Sequence, residues 1–248
     1  MNRWLVGMVM AVVLIQAAGC SEVSVSGKTA KDVFQDPQTL ALVEAACHGD
    51  IPKIDALVKQ GANVNATGYE DTSVLAWTMQ CRNYKGIERL LDLGANPNYK
   101  MDGGDSPTWL AAGSSDPHFL PLMLEHGGNP NIWSGADSAL MIAMEQDRKK
   151  NFEYLIDHGA DINDHDSVGN TVATYAAALA KFDVVIMLLK RGYNYDLQRL
   201  ALGINGRVVP AHSELSIQKE QILAILKERG VKFPLPPPGI EPPPPGIK

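Results

Sequence analysis

A five-residue block recurs five times along the chain at almost constant spacing. Each copy begins with glycine and carries Asn or Asp at its third and fifth positions. The copies occupy residues 61–65, 94–98, 127–131, 159–163 and, in a degenerate form, 192–196. Their leading glycines lie 33, 33, 32 and 33 residues apart. Self-similarity at a fixed period of about 33 residues indicates a fold built from stacked repeats.

Short apolar segments precede every block and indicate helices. Segments such as residues 87–91 and 152–156 have one apolar face at helical spacing. The glycine of the block can adopt the left-handed conformation that closes a helix, and its Asn and Asp residues favour a turn. A Ser or Thr stands 21 residues before four of the glycines, where we predict the N-cap of another helix. These predicted N-caps are Ser73, Ser106, Ser138 and Thr171.

One stretch of sequence resembles a known repeat family. Residues 106–112, Ser-Pro-Thr-Trp-Leu-Ala-Ala, are similar to the Thr-Pro-Leu-His-x-Ala-Ala box of the ankyrin repeat, and residues 169–171 with 176–177 form another piece of it. The resemblance covers residues 38–196. It implies an all-α ankyrin-repeat solenoid of about five repeats plus a C-terminal capping helix pair. We expect the inter-repeat hydrogen bonds of the box histidine to be altered, because other residues replace it. The replacements are Ala76, Trp109, Met141 and Thr174.

The beginning of the chain resembles a targeting sequence. Residues 1–19 combine one basic residue, a short apolar run and small residues, as a secretory signal peptide does. Residues 17–20, Ala-Ala-Gly-Cys, resemble a bacterial lipobox, which implies cleavage before Cys20 and lipidation of that cysteine. The alternative is an ordinary cleaved signal followed by a chance cysteine. We predict that residues 20–37 are the lipidated cysteine and a polar tether, and that residues 38–233 form the ankyrin-repeat domain.

The resemblance to lipoproteins also predicts a location. The residue after Cys20 is Ser21, whereas lipoproteins retained in the inner membrane carry Asp there. This implies a periplasmic protein anchored by lipid to the inner leaflet of the bacterial outer membrane. No further membrane-spanning segment is predicted, so we expect the lipid to be the only contact with the membrane.

The last part of the chain departs from the repeat. We predict a helix at residues 197–204, an inserted loop at 205–213 and an amphipathic helix at 216–229, which would cap the stacked core. Residues 234–248 hold eight of the 16 prolines and cannot form a helix or an interior strand. We predict a disordered tail there, with a ligand for a proline-binding partner as the alternative.

Recognisable catalytic and cofactor motifs are missing from the sequence. It has no Gly-x-Ser-x-Gly elbow, no His-Glu-x-x-His, no phosphate-binding loop and no Cys-x-x-Cys. Residues 161–166 resemble a calcium loop only loosely, because no Glu follows at the required spacing. The net charge of −6 argues against a nucleic-acid partner. We therefore expect a protein that is not an enzyme, holds no cofactor or metal, and is monomeric when free.

The resemblance predicts where another protein would bind. Ankyrin repeats usually contact partners through hairpin tips and the exposed side of the first helix of each repeat. Acidic tip residues would attract a basic surface, although plain solvation is the alternative. We expect the aromatic tip residues, above all Trp133, to face solvent and anchor the partner; Trp77, by contrast, is predicted in the core and Trp109 half-buried. The predicted contact residues are Tyr69, Glu70, Thr72, Gln80, Lys100, Asp102, Asp105, Trp133, Asp137, Glu145, Gln146, His165 and Asn170.

Two cysteines remain once Cys20 carries a lipid. Cys47 and Cys81 fall near the ends of first helices in adjacent repeats, in a compartment that favours disulfides. Stacked helices lie about 8–10 Å apart, whereas a disulfide needs Cα atoms within about 7 Å. The sequence therefore leaves open both a disulfide and two half-buried thiols.

The predicted function is binding to a protein. The chain resembles ankyrin-repeat lipoproteins found beside secreted antibacterial effectors, including phospholipases, which implies an immunity protein that blocks such an effector in the periplasm. A periplasmic adaptor for envelope or stress-response proteins is the alternative. An enzyme with an unrecognised site is a minor alternative.

Overall fold

The computed structural model describes Ser24 and residues 27–233. These residues divide into two compact units, one ending at Gly135 and the other beginning at Ala136. Among the described residues, no helix is both long and apolar enough to cross a membrane. The predicted signal peptide, Cys20 and the proline-rich tail all lie outside the described residues.

The first unit contains the first three repeats. Its helices are arranged in pairs, and a 3₁₀ turn at Tyr69–Asp71 forms the tip of the first hairpin. The elements are α1 Ala30–Val33, α2 Pro37–His48, α3 Ile51–Lys59, α4 Val74–Cys81, α5 Tyr84–Asp92, α6 Pro107–Gly113, α7 Phe119–Glu125 and β1 Trp133–Ser134.

The second unit contains the fourth and fifth repeats and the terminal helix pair. Its elements are β2 Asp137–Ser138, α8 Ala139–Glu145, α9 Lys149–Asp157, α10 Val172–Ala178, α11 Phe182–Lys190, α12 Leu197–Gly206 and α13 Glu214–Glu228. The last two helices confirm the predicted pair within two residues at each end, and the loop between them runs from residue 207 to 213.

The four predicted N-caps are confirmed. Ser73 accepts a hydrogen bond from the Ala76 amide at 3.1 Å, and the three others accept from the equivalent amide at 3.2 Å. All five block glycines have positive φ angles, between 84° and 101°. Hydroxyl side chains therefore begin the first helices and left-handed glycines end the second helices, as the sequence predicts.

Asparagine side chains connect successive repeats. Asn65, the fifth residue of the first block, donates to the Gly94 carbonyl at 2.9 Å and accepts from the Asn96 amide at 2.7 Å. Asn98 makes the same two bonds to the third block, at 2.8 and 2.7 Å. In the second unit, Asn163 accepts from the third residue of the last block at 2.8 Å. This ladder links repeats by hydrogen bonds although the box histidine is absent.

The domain begins earlier than predicted. The expected tether, residues 20–37, includes α1 and the start of α2, so that prediction is wrong for its second half. Val33 and Phe34 are buried, and the Phe34 ring meets Trp77 edge-on with centroids 5.9 Å apart. Burying Val33 and Phe34 gains free energy, and this gain orders a segment whose other residues are mostly polar.

Two tryptophans of the first unit, Trp77 and Trp109, lie in the core. Trp77 is buried, as predicted, whereas Trp109 is buried rather than half-buried, with 8% of its surface exposed. Ala111 and Ala112, which follow Trp109 in the box, are fully buried. Small residues beside the indole leave room for it between helices, so the residue that replaces the box histidine packs as a core residue.

The Arg229 side chain links the terminal helix α13 to the fifth repeat by hydrogen bonds. Arg229, which follows α13, donates to the carbonyls of Leu189 and Tyr193 at 2.5 and 2.8 Å. Both carbonyls lie at the end of α11 or directly after it, where helices leave acceptors unpaired. Tyr193 itself is fully buried, and burial raises its pKa to about 12.

The turns between paired helices allow a test of backbone strain. Ala180, in the turn after α10, has φ of 55°, a conformation that costs a residue with a Cβ about 1–2 kcal/mol. Ala180→Gly should raise the free energy of unfolding by about 0.5–1 kcal/mol, because the relief of this strain is only partly offset by the greater chain entropy that glycine loses on folding. Gly61→Ala should lower it by about 1–2 kcal/mol, since Gly61 has φ of 101° and open space around its Cα. Urea denaturation measures both; shifts of the same sign would contradict the strain assignment.

Candidate partner-binding surface

The tip of the first hairpin presents an aromatic and an acidic side chain to solvent. Tyr69 is 49% exposed, and Glu70 beside it is also exposed. Glu70 and Asp71 have φ angles of 53° and 55°, which turn the chain sharply at this point. A side-chain hydrogen bond with Glu70 raises the pKa of the Tyr69 hydroxyl. The ammonium of Lys28 lies 3.6 Å from the centre of the Tyr69 ring, so the ring face already accepts a cation.

The second hairpin is joined to the first by a short hydrogen bond. The Tyr99 hydroxyl donates to the Asp71 carboxylate at 2.5 Å, and this bond raises the pKa of Tyr99. Asp105 accepts from the Ser134 hydroxyl, also at 2.5 Å. These two carboxylates fix the hairpins, whereas Lys100 and Asp102 are exposed. Glu70 and Asp102 are therefore the tip carboxylates of this unit best placed to meet a partner.

The prediction that Trp133 faces solvent is wrong. Trp133 is half-buried and lies in β1, between the buried residues Ile132 and Ser134. The sequence suggested a solvent-facing ring because small and polar residues follow it. In an extended strand, Ile132 and Ser134 point to the same, buried side, so Trp133 lies on the other side of the strand, where it is only partly covered. Tyr69, not Trp133, is the more exposed aromatic of the predicted contact residues.

The two cysteines lie beside the predicted contact residue Gln80. A disulfide joins Cys47 at the end of α2 to Cys81 at the end of α4, with Cα atoms 5.2 Å apart. This separation is shorter than the usual distance between stacked helices. The two repeats approach closely here because position 86 is glycine, where a Cβ would collide with the backbone of Ala46.

In the second unit, an aspartate organises the tip that carries His165 and Asn170. Asp166 accepts from the Asn170 amide and side chain at 2.8 and 2.9 Å. Burial raises the pKa of Asp166, but hydrogen bonds from Asn170 and Val168 have a larger opposite effect, so the pKa is lowered overall. The exposed His165 ring stacks on Tyr195 with centroids 4.4 Å apart. Within the described residues, no group of His, Cys, Asp and Glu is arranged to hold a metal ion.

The predicted contact residues divide by exposure. The exposed set is Tyr69, Glu70, Lys100, Asp102 and His165. The half-buried set is Thr72, Gln80, Asp105, Trp133, Asp137, Glu145, Gln146 and Asn170. Among the latter, burial raises the pKa of Asp137.

Charge is distributed unevenly between the units. Residues 27–135 carry 13 Asp and Glu against 8 Lys and Arg, whereas residues 136–233 carry 13 against 12. The acidic excess of the chain therefore belongs mainly to the unit with the Tyr69 and Asp102 tips.

The second unit exposes large apolar side chains, among them Val208, which was not predicted as a contact residue. Leu179 at the end of α10 is 51% exposed, and Val208 in the loop after α12 is 98% exposed. Arg207 donates to the Ala177 carbonyl at 3.2 Å, which brings that loop to the end of α10. The sequence of the loop could not predict the contact between Arg207 and Ala177, because it depends on the tertiary position of the loop.

Comparison with known proteins identifies the repeat. Residues 108–199 match the family model described as ankyrin repeats in three copies. These residues carry ankyrin repeats. Ankyrin repeats form protein-interaction modules that are generally non-catalytic, so the chain contains a module of this kind.

Relatives of the chain differ widely in length. It is 30% identical over 174 residues to human SH3 and multiple ankyrin repeat domains protein 2, covering 66% of this chain and 9% of that protein. It is 29% identical over 148 residues to Protein PhlB of Serratia liquefaciens, covering 59% of this chain and 65% of that protein. The chain thus spans less than two thirds of either relative.

Solved structures support the fold. An ankyrin repeat domain from Acinetobacter baumannii AYE matches with a TM-score of 0.60 at 23% identity, covering 77% of this chain and 98% of that one. The human ASB11 ankyrin repeat domain matches with a TM-score of 0.54 at 21% identity, covering 78% of this chain and 85% of that one. The predicted all-α ankyrin-repeat solenoid is confirmed.

The state of the two cysteines can be measured directly. The chain from residue 21 onward should show no reactive thiol when it is denatured without reductant, and two after reduction, because Cys47 and Cys81 are bonded. Titration with a thiol reagent counts them. Two reactive thiols before reduction would mean that the bond is absent.

Proposed function

We propose that this protein is a non-catalytic binding lipoprotein whose first unit holds a basic surface of another protein. Its most specific form is an immunity protein that binds and neutralises a secreted antibacterial effector, such as a phospholipase, in the periplasm. The observation that carries the proposal is the exposed tip formed by Tyr69 and Glu70, in the unit that holds the acidic excess.

Three physical features of the first unit support this proposal. Exposed carboxylates steer an oppositely charged partner during encounter. Tyrosine supplies a large contact area with few side-chain torsions to immobilise, and it is enriched among residues that dominate binding energy. The Lys28 ammonium over the Tyr69 ring is an intramolecular example of the cation contact that a partner lysine or arginine would make.

The lipid anchor is part of the same proposal. Acylation of Cys20 would hold the repeat domain at the periplasmic side of the outer membrane, because two or more acyl chains give stable anchoring. Mass spectrometry of the mature N-terminus tests this. An acylated Cys20 agrees with the proposal, and an unmodified N-terminus at any other residue contradicts the anchor.

Charge reversal at the tips tests the binding surface. The chain from residue 21 onward serves as bait in a periplasmic extract, and the captured protein is then purified. Glu70→Lys with Asp102→Lys should weaken its affinity at least tenfold, mainly by slowing association at low salt, because both carboxylates are exposed on the tips. Glu88→Lys with Glu125→Lys is the matched control, since both residues are exposed on the second helices α5 and α7, away from the tips.

Two outcomes distinguish the possibilities. Equal affinities for the tip variant and the control would mean that the first-unit tips do not form the interface. If the captured protein is a toxin, cells expressing it should survive only with an intact tip. A captured envelope protein without toxicity would favour the adaptor function instead.

A further inference from the structure

The second helix of the first repeat is the most thinly packed of the paired helices in its unit. This helix, α3, buries only Ile54, whereas α5 in the next repeat buries four residues. Within the described residues, only the four-residue helix α1 precedes α2, so no full helix pair covers this side of the repeat. In a solenoid, stability is a sum of repeat and neighbour terms, and a terminal repeat with few contacts opens most easily.

The ion pair that joins α3 to the next repeat is weak. The Asp55 carboxylate pairs with the Arg89 guanidinium at 2.7 Å, but their side chains are 44% and 32% exposed, so solvent screens the pair. The Asn65 hydrogen bonds lie after α3 and join the turns of the two repeats, and α2 packs through buried residues such as Leu42 and Val43. The helix α3 is therefore the weakly held part of the first repeat.

The disulfide adds a covalent cross-link to the backbone that joins these two repeats. It links residues 34 positions apart, at the ends of the first helices α2 and α4. Closing a loop of this length restricts the unfolded chain considerably. Both cysteines are half-buried rather than enclosed, so a small reductant can approach them.

We propose that the Cys47–Cys81 disulfide is a redox-controlled latch that keeps the first repeat folded. A dithiol reductant would attack one sulfur as its thiolate and break the S–S bond. Its second thiol would then displace the remaining cysteine, so the reductant becomes a cyclic disulfide and Cys47 and Cys81 gain two electrons and two protons as thiols. The first repeat then opens locally while the later repeats remain folded.

Local opening would also affect the proposed contact surface. The Tyr69–Asp71 tip lies between α3 and α4, so it loses support on one side when α3 opens. This consequence rests on the proposed function. The latch itself does not, because it is tested on the free protein without any partner.

Hydrogen exchange with peptide resolution tests the latch. The chain from residue 21 onward is measured with and without dithiothreitol. Amides of α2 and α3 should exchange at least about tenfold faster after reduction, since the loop constraint is lost. Amides of α8 to α11 should change less than twofold. Unchanged exchange in α2 and α3, or an equal increase in both units, would overturn the proposal.

Variants separate the bond from the reductant. Cys47→Ser with Cys81→Ser should show fast exchange in α2 and α3 whether or not dithiothreitol is present; slow exchange in this variant would contradict the latch. Asp55→Asn removes the ion pair but keeps the disulfide, so it should leave most of the protection intact. If the double variant does not fold, reduction of the folded wild-type chain still decides the question.

Discussion

Within each unit, the asparagine ladder is the interaction on which the stacking of repeats depends. Each repeat ends in a turn whose backbone groups face the next turn, and these groups need partners if the turns are to stack. Asn65 and Asn98 each satisfy one carbonyl and one amide of the following block. A single side chain at a fixed position in the repeat thus sets both the spacing and the register of successive turns.

The sequence predicted the fold well where a local rule decides the structure. Glycine closes a helix and a hydroxyl side chain begins one whatever the rest of the chain does, so the block glycines and Ser73 were correctly assigned. The prediction failed where tertiary packing decides. Composition suggested a tether around Phe34, but the free energy of burying its ring against Trp77 extends the domain towards the N-terminus.

The candidate surface was predictable only in part, for a related reason. Repeat position correctly placed Tyr69, Glu70 and Asp102 on hairpin tips, because every repeat exposes the same turn. It could not determine the exposure of Trp133, which depends on an extended strand, or the use of Asp71 to fix Tyr99. Contacts between repeats decide which tip carboxylates remain exposed. The sequence of one repeat does not predict these contacts.

The central claim, that the ladder holds the stack together, is tested by the unfolding of Asn98→Ala. Because Asn98 makes two bonds to the next block, its loss should lower the free energy of unfolding by about 1–2 kcal/mol. It should also reduce the denaturant slope, since repeats would unfold less cooperatively. Lys100→Ala serves as the control, because Lys100 is exposed. A midpoint and slope equal to those of the wild-type chain would contradict the claim.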